Sequence, residues 1–405
     1  MTVRQIINKI HLWLGLASGL VVFILGVTGC LYVFHSEITH WLRYDLRHAD
    51  VVKEHTLPVA ELEKRLADGL GVAHLRFGIT TFRDPSRNWQ AFVYQPGQGG
   101  WNYFQNVKDY RSGYINPYTG KMAGVVNEKA DFFVIVKSLH WSLLLADDIG
   151  QPIVVWSTVI FLVCVLTGLV LWWPRRWKRA SWQKGFRIRW RANWKRLNYD
   201  LHNVLGFYAL LILLVIGFTG LWWYLPAAQK SLNFLATGEF ALPSNTATPV
   251  TAPPAPATDD QSALGRAYAA AWARYPDAEA ITLSDADGKT IRASIFPKEE
   301  TYYSQHWLWF DASNGQLVKQ AGRSLSGINY DIHVGAIGGF WTKLLAFFVS
   351  LIAAGMPVTG FLYWYPNWKR KRQRQRKKDI RRYRETVSSR EASQPYTQHG
   401  RVTEK

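Results

Sequence analysis

The sequence contains little cysteine, and this scarcity excludes several kinds of site. Only two cysteines occur in 405 residues, Cys30 and Cys164, and both lie inside long apolar runs. The polar segments between those runs can therefore form neither a disulfide nor a thiolate metal site. An iron–sulfur cluster is excluded because it needs several cysteine ligands.

Nucleotide-binding and zinc-protease motifs are missing as well. No G-x-G-x-x-G opens a helix after a strand, and neither a Gly-Lys-Ser/Thr phosphate loop nor a His-Glu-x-x-His occurs. We therefore expect no nicotinamide, flavin or ATP site, and zinc is a weak option. Electrons for any redox reaction would have to come from a cytoplasmic reductase, a reduced flavin or a membrane quinol.

Charged residues are absent from four long runs, and each run spans 22 or 23 residues. The runs are residues 12–34, 151–173, 203–225 and 344–365. Each exceeds the roughly 20 residues that cross about 30 Å of hydrocarbon, so the sequence predicts four membrane-spanning helices. The first run is also longer than the apolar part of a signal peptide and lacks an Ala-x-Ala cleavage site, which indicates a retained anchor.

Basic residues are concentrated in three of the remaining segments. Residues 1–11, 174–200 and 366–405 together hold 26 Lys/Arg and 5 Asp/Glu, against 22 Lys/Arg and 24 Asp/Glu elsewhere. The positive-inside rule then predicts that both termini and the 174–200 loop lie in the cytoplasm, and we expect the membrane to be a bacterial inner membrane. The basic loop and tail are expected to contact anionic lipids, and we predict no nucleic-acid partner.

The chain contains an internal duplication. One pattern, H-x3-G-x10-G-x-T-G, begins at His11 and again at His202, 191 residues later. A second pattern, Thr-Gly followed by two aromatic residues and Pro, begins at Thr167 and again at Thr359. Parallel repeats imply a pseudo-twofold axis along the membrane normal, with helix one facing helix three and helix two facing helix four.

These observations predict a membrane α-helical fold: a four-helix bundle built from a duplicated unit, with two small α+β domains on the outer side. The predicted boundaries are helix one at 1–35, outer domain one at 36–128, an interfacial helix with helix two at 129–174, a basic cytoplasmic loop at 175–199, helix three at 200–226, outer domain two at 227–323, an interfacial segment with helix four at 324–366 and a basic cytoplasmic tail at 367–405. Residues 241–258, rich in Pro, Ala and Thr, are predicted to be a flexible tether.

Four histidines occupy matching places near the helix ends. His11 and His202 lie at the predicted inner ends of helices one and three, while His140 and His333 precede helices two and four on the outer side. A single interfacial histidine is usually an ordinary polar residue, but the pseudo-twofold would bring these histidines together in pairs. Two imidazoles on facing helices are natural axial ligands of a haem, so we predict two b-type haems and electron transfer across the membrane.

Other residues near these positions have candidate roles. Gly15 and Gly206 would let a flat macrocycle approach the backbone, although small residues also serve plain helix packing. His35 and His40 have no counterpart in the second half and are interpreted as interfacial residues that could assist the outer pair. His306 lies in an aromatic-rich stretch that could form a platform for a bulky acceptor.

The sequence resembles the PepSY-associated transmembrane helix family over residues 1–370. The matching motifs are Lys-Ile-His-Leu-Trp-Leu-Gly at 9–15, Ser-Leu-His-Trp at 138–141, Leu-His-Asn-Val-Leu-Gly at 201–206, Tyr-Asp-Ile-His at 330–333 and the two Thr-Gly…Trp-Trp/Tyr-Pro endings. The resemblance implies that the outer domains are PepSY-like.

Within that family the chain is most similar to the ferric-siderophore reductases. These are inner-membrane dihaem b proteins that reduce iron(III) in the periplasm and so release it from its chelator. The resemblance implies that the haem ligands are His11, His202, His140 and His333, and that the chain is a haem-dependent ferric-siderophore reductase. Some relatives carry a fused flavoprotein domain where this chain has a basic tail, which leaves the electron donor open.

Two alternatives remain at this point. The chain could be a non-enzymatic PepSY protein that regulates or inhibits extracytoplasmic peptidases, with its helices as an anchor. It could instead keep the haems and reduce another periplasmic acceptor, such as copper, a quinone or another protein.

Overall fold

The computed structural model describes residues 1–174, 185–243, 247–250, 258–285 and 287–392. The helices in chain order are α1 (Val3–Tyr32), α2 (His35–Leu42), α3 (Tyr44–Arg47), α4 (Val59–Leu70), α5 (Tyr103–Asn106), α6 (Phe132–Ser142), α7 (Asp147–Trp172), α8 (Trp194–Asp200), α9 (Gly206–Leu221), α10 (Pro226–Thr237), α11 (Ala263–Arg274), α12 (Leu325–His333) and α13 (Phe340–Ala392). The strands are β1 (Ile79–Phe82), β2 (Trp89–Pro96), β3 (Val107–Ile115), β4 (Met122–Asn127), β5 (Thr248–Pro249), β6 (Ala280–Asp285), β7 (Thr290–Phe296), β8 (His306–Asp311) and β9 (Leu317–Ala321). A π-helical turn, Leu201–Leu205, joins α8 to α9.

Four of these helices are long and apolar enough to cross a membrane, as the four charge-free runs predict. They are α1, α7, the continuous helix Trp194–Leu221 and α13 as far as Arg382. A helix suits the hydrocarbon because it satisfies its backbone hydrogen bonds internally. The chain is therefore a membrane helical protein. α13 continues beyond its apolar part, so the predicted tail 367–405 is helical up to Ala392, and residues 393–405 lie outside the described part.

The four helices form a bundle in which α1 packs against both α7 and α13, and α9 packs against the same two helices. α1 and α9 thus occupy opposite corners and face each other diagonally, as do α7 and α13. Glycine permits the closest approaches: a Cβ at Gly26 would lie 2.5 Å from the backbone nitrogen of Ala354, and one at Gly217 would lie 2.7 Å from Leu162. Small residues at such crossings are typical of membrane helix packing.

The segments between the helices form one antiparallel sheet of nine strands, in the order β4-β3-β2-β1-β6-β7-β8-β9-β5. The prediction of two small α+β domains did not include such a shared sheet. β1 from the first segment pairs with β6 from the second, with Ile79 opposite Leu283 and the hydroxyls of Thr80 and Thr282 2.8 Å apart. Separate domains would expose both of these strands as unpaired edges, and their pairing removes both edges.

The core of the sheet layer is shared between the two segments. α4 contributes Leu62, Leu66 and Leu70, and all three are fully buried together with Ile281 of β6 and Phe310 of β8. α11 packs in the same cluster and begins at Ala263, with the Ser262 hydroxyl accepting a hydrogen bond from the amide of Gly265 at 2.9 Å. One hydrophobic core therefore joins residues from both halves of the chain.

The predicted tether and the predicted cytoplasmic loop are each only partly described. Within 241–258, Thr248 and Pro249 form the short strand β5 on β9, so this part of the tether belongs to the sheet, while residues 244–246 and 251–257 lie outside the described residues. Within 175–199, residues 175–184 lie outside the described part, and α8 begins at Trp194.

The bundle has two distinct ends. At the sheet end, α1 finishes and α13 begins; the short helix α6 packs against α1 and α7, and α12 packs against α9. The connection includes the Arg43 guanidinium, which pairs with Glu128 at 2.5 Å and with Asp131 at 2.9 Å. At the opposite end, named here the terminal end, α1 and α8 begin.

Candidate functional site

The four predicted histidines come together as two pairs, one at each end of the bundle. At the terminal end the ring centres of His11 and His202 lie 6.3 Å apart, and the ring planes make an angle of 88°. At the sheet end the ring centres of His140 and His333 lie 6.2 Å apart, at 67°. Each pair joins residues from diagonally opposite parts of the bundle, so four separate helical segments must be in place before the two pairs exist.

At the terminal end, each ring is held by a threonine of a neighbouring helix. The His11 Nδ1 lies 3.0 Å from the Thr167 hydroxyl on α7. The His202 Nδ1 lies 2.9 Å from the Thr359 hydroxyl on α13. The π-helical turn places His202 one residue out of the regular helical register, and such turns are frequent at functional sites.

At the sheet end the same arrangement recurs with the helices exchanged. The His140 Nδ1 lies 2.9 Å from the Thr28 hydroxyl on α1, and the His333 Nδ1 lies 3.1 Å from the Thr219 hydroxyl on α9. The His333 Nδ1 also lies 3.0 Å from the backbone carbonyl of Ile216. α1 and α9 therefore each carry a histidine at the terminal end and a threonine at the sheet end.

These hydrogen bonds determine which ring nitrogen carries the proton. Each threonine hydroxyl donates its one hydrogen to a carbonyl of its own helix; Thr167 donates to Val163 at 2.8 Å and Thr359 to Gly355 at 2.7 Å. Thr28 and Thr219 donate in the same way, at 2.7 and 2.8 Å. The hydroxyl must then accept from the histidine Nδ1–H, which leaves Nε2 with a lone pair for a metal ion.

A glycine follows each of these threonines and lies against the histidine ring. A Cβ would lie 3.4 Å from His11 Cε1 if added at Gly168, and 3.4 Å from His202 Cε1 if added at Gly360. At the sheet end a Cβ at Gly29 would lie 3.6 Å from His140 Cε1. The tightest case is Gly220, where a Cβ would lie 3.1 Å from His333 Cε1. Each Thr-Gly pair is thus a seat for one histidine, a role that the sequence analysis missed although it noted the repeat.

A second signal was present in the sequence and was not used. The pentapeptide Asn-Tyr-Asp-Leu-His at 198–202 returns as Asn-Tyr-Asp-Ile-His at 329–333, and each copy ends in a paired histidine. The Asn198 side-chain amide donates to the backbone carbonyl of Thr359 at 2.9 Å, and that of Asn329 donates to Thr219 at 3.1 Å. In both copies a buried asparagine therefore donates a hydrogen bond to the backbone of the threonine that holds the histidine of the same pentapeptide.

The aspartates of the two pentapeptides anchor the loops that pass over the bundle ends. The Asp200 carboxylate accepts from the backbone N–H of Arg189 at 3.3 Å and from the Arg196 guanidinium at 3.1 Å. The Asp331 carboxylate accepts from the backbone N–H groups of Tyr302 and Tyr303 at 2.8 and 2.7 Å. Both aspartates are fully buried, so each loop is tied directly to the helix that carries a paired histidine.

The two glycines predicted to lie against a cofactor have other nearest neighbours in the protein. A Cβ at Gly15 would lie 4.0 Å from the Cys164 sulfur, and one at Gly206 would lie 3.3 Å from the Met356 sulfur. Both glycines lie one helical turn from a paired histidine. Their contacts in the structure are therefore those of helix packing, and a role beside a macrocycle stays a prediction.

The remaining candidate histidines lie away from the two pairs. His306 is on β8 in the sheet, with its ring centre 5.3 Å from that of Tyr275. His40 contacts Glu300 at 3.0 Å and Glu299 at 3.7 Å.

His40, Glu299 and Glu300 form the one group of potential metal ligands that the described residues bring together outside the pairs. Two guanidiniums already occupy the Glu299 carboxylate: Arg47 at 2.6 Å, and Arg87 at 3.0 Å. A divalent cation would be repelled by both, so this group is an ion-pair network that ties α2 and α3 to the loop before β8.

The separation of the paired rings suits two nitrogen ligands on one metal ion. Two imidazoles bound at about 2 Å each to a shared ion have ring centres roughly 6 Å apart. The two pairs are also well separated from each other. His11 and Thr28, which holds the sheet-end His140, are 17 residues apart on α1, or about 25 Å along a helix axis.

A comparison with known families gives one match. The family model described as the PepSY-associated TM region matches residues 8–367, which is most of the chain. Among curated proteins, none matches the chain.

Proposed function

The chain belongs to the PepSY-associated transmembrane family, and from this premise we propose that it is a membrane electron-transfer protein with two b-type haems. Each haem would be held by one histidine pair, His11 with His202 and His140 with His333. The observation that carries the proposal is the second hydrogen bond of each ring. All four histidines are held through Nδ1 by a threonine, so that all four offer Nε2.

The number of ligands supports haem over a bare metal ion. A zinc ion needs three or four protein ligands, whereas each pair offers two. A haem iron already has four ring nitrogens, so the two imidazoles of a pair would complete its coordination. The diagonal placement of each pair across the bundle also suits a flat group held between opposite helices.

A bound haem would supply one-electron chemistry, and the residues of this chain would hold and tune it. The Nδ1–H···O bonds orient the rings and raise the basicity of Nε2, as outer-shell partners of metal-bound histidines commonly do. Gly15 and Gly206 would let the macrocycle approach the helix backbone at the terminal end. The apolar helices around each pair exclude water, which favours electron transfer over side reactions.

The orientation of the chain is part of the proposal. The excess of basic residues at the terminal end and in the tail supports a cytoplasmic location for that end, with the sheet in the periplasm. The matched patterns at an offset of 191 support a duplicated origin of the bundle. Electrons would then enter at the cytoplasmic pair and leave at the sheet-end pair.

The proposed reaction is reduction of a ferric siderophore at the sheet side. A siderophore holds iron(III) far more tightly than iron(II), so one electron delivered to the bound iron(III) gives iron(II) and loosens the complex. The resemblance of the sequence to ferric-siderophore reductases supports this choice of acceptor. The peptidase-regulator alternative accounts for the outer part of the chain but gives no role to four seated histidines.

The test is the absorption spectrum of the purified protein before and after reduction with dithionite. We expect b-type bands and two haems per chain. His11→Ala and His202→Ala should each lose the same haem, and His140→Ala and His333→Ala should each lose the other. His306→Ala is the matched control and should keep both. A protein that stays colourless after expression with added haem, or a His333→Ala variant that keeps both haems, would refute the proposal.

The acceptor is tested separately with the reduced protein under anaerobic conditions. Addition of a ferric siderophore should reoxidise the haems and release iron(II) to a ferrous chelator in a one-to-one ratio. Reoxidation by a quinone or by copper(II), with none by the ferric siderophore, would replace the siderophore by that acceptor and leave the haem proposal intact.

A further inference from the structure

A small cavity lies at the sheet end, between the end of α1 and the beginning of α13. Its volume is about 130 Å³, and Val33, Val334 and Ala336 line its apolar side. An apolar protein cavity of about 150 Å³ is known to hold one benzene molecule. The cavity is therefore the right size for a single six-membered ring.

The polar side of the cavity offers hydrogen-bond acceptors. Burial alone would raise the pKa of the Glu300 carboxyl, but hydrogen bonds from His40 and Ser36 outweigh it and lower the pKa to about 2, so Glu300 is ionised. The His35 Nδ1 lies 2.8 Å from the Tyr32 carbonyl, which can only accept, so Nδ1 carries the hydrogen and Nε2 is an acceptor. Burial lowers the pKa of His35, which keeps this ring neutral. The Lys343 ammonium also lines the cavity as a donor, so a ligand whose hydroxyl groups can both donate and accept matches its polar side.

A row of aromatic side chains connects the cavity to the sheet-end pair. The ring centre of Trp223 lies 5.3 Å from His333 and 6.3 Å from Tyr330. Tyr330 lines the cavity, and its ring centre lies 4.9 Å from that of Tyr302, which also lines it. A ring in the cavity would thus lie at the end of a continuous aromatic path from His333.

We propose that this cavity binds a neutral dihydroxybenzene ring, either the head group of a membrane hydroquinone or a water-soluble catechol. Such a ring has the size of the cavity and two hydroxyl donors for the acceptors on Glu300 and His35. The cavity lies where two membrane-spanning helices end, so that a lipid-soluble ring reaches it from the boundary of the membrane. The aromatic path links the bound ring to the sheet-end pair, a connection whose use in electron transfer rests on the proposed function. Binding of the ring does not depend on it.

The test is calorimetric titration of the detergent-purified, dithionite-reduced protein with three probes. Decylhydroquinone represents the membrane source, catechol represents the water-soluble source, and 1,4-dimethoxybenzene has the same ring without donors. Ala336→Leu fills the cavity, and we expect it to weaken binding at least tenfold. Ala227→Leu makes the same change at an exposed position of α10 and should bind as the wild type does. Glu300→Gln should weaken binding about tenfold, because it replaces a charged acceptor by a neutral one.

Tighter binding of decylhydroquinone than of catechol would identify a membrane ligand, and the reverse order would identify a soluble one. The inference is refuted if neither diol binds, if the dimethoxy compound binds equally well, or if the two leucine variants behave alike. Haem content measured on the same samples separates the two proposals. A protein with two haems that binds no diol contradicts only the cavity, and a protein without haem that binds a diol contradicts only the electron-transfer function.

Discussion

The threonine seats give the sharpest test of the site, and α7 contains a matched pair of threonines for it. Thr167 accepts the Nδ1–H of His11 at 3.0 Å and donates to the carbonyl of Val163 at 2.8 Å. Thr158 lies nine residues earlier on the same helix and donates to the carbonyl of Val154, also at 2.8 Å. Thr167→Val and Thr158→Val therefore delete the same helix-internal bond from the same helix. They differ in that Thr167→Val also removes the partner of a histidine.

The expected size of the effect follows from that one hydrogen bond. Leaving a buried donor without its partner costs about 1–3 kcal/mol, which corresponds to roughly 5- to 150-fold in affinity at about 1.4 kcal/mol per factor of ten. The backbone carbonyl of Cys164 also interacts with His11 and partly replaces the hydroxyl. We therefore expect Thr167→Val to weaken haem binding at the terminal end by about tenfold, at the low end of the 10–100-fold range for outer-shell partners of metal ligands.

The assay is the transfer of haem from the detergent-purified protein to an excess of apomyoglobin, followed in the Soret region. The wild type and Thr158→Val should release both haems at similar rates. Thr167→Val should release one of its two haems about ten times faster and keep the other unchanged, since the sheet-end pair is seated on different helices. A melting curve for each variant checks that both changes have the same effect on folding.

Equal haem release from the two valine variants would refute the reasoning. It would mean that the hydroxyl of Thr167 does not hold the ligand ring. Faster release of both haems from Thr167→Val would also contradict it, because the change would then act through the whole bundle.

Three further changes test other parts of the structure. Gly220→Ala should cause loss of the sheet-end haem, because its Cβ would lie 3.1 Å from a histidine ring. Gly29→Ala, whose Cβ would lie 3.6 Å from a histidine ring, should reduce haem occupancy only slightly. The haem content of the two purified variants distinguishes these outcomes. The pKa of Glu300 is about 2 in the folded protein, so its ion pair stabilises the protein above about pH 4.5 and is lost as the pH falls towards 2. The difference between this pKa and the ordinary value of a glutamate is worth roughly 3 kcal/mol, and since the side chain is 36% exposed, screening reduces this to about 1 kcal/mol. Glu300→Gln should then lower the melting temperature at pH 7, and by less than half as much at pH 3, where the folded protein still holds this carboxylate ionised. Phe310→Ala should destabilise the sheet by about 3–5 kcal/mol and speed hydrogen exchange in both halves of it, whereas an effect confined to the second half would contradict the shared core.

Much of the bundle could be predicted from the sequence because its signals are local. A run of 23 uncharged residues at 151–173 is enough to predict α7, since hydrocarbon demands apolar side chains and internal backbone hydrogen bonds along the helix itself. The helix α4 likewise carries a local signal, because its apolar residues recur at helical spacing. The histidine positions were visible for the same reason, as each repeats at a fixed place relative to a helix end.

The seats of the histidines were harder to predict, although their residues were noticed. Thr28 and Thr219 stood out as members of a repeat, yet nothing in their own helices shows that they contact His140 and His333, which are more than 100 residues away. A threonine in a membrane helix usually bonds its own backbone, and these threonines do so as well. Only the packing of neighbouring helices reveals their second role as acceptors.

By itself, the sequence determined the number of membrane-spanning helices, the family and the four histidines that recur at matching places near helix ends. These features depend on composition and on spacing along one helix, which do not change with the rest of the fold. The tertiary structure alone decided that the histidines meet in pairs near 6 Å and that strands of both segments share one sheet. Both outcomes are contacts between residues about 190–200 positions apart, such as Thr80 with Thr282, and such pairings depend on how whole segments pack against each other.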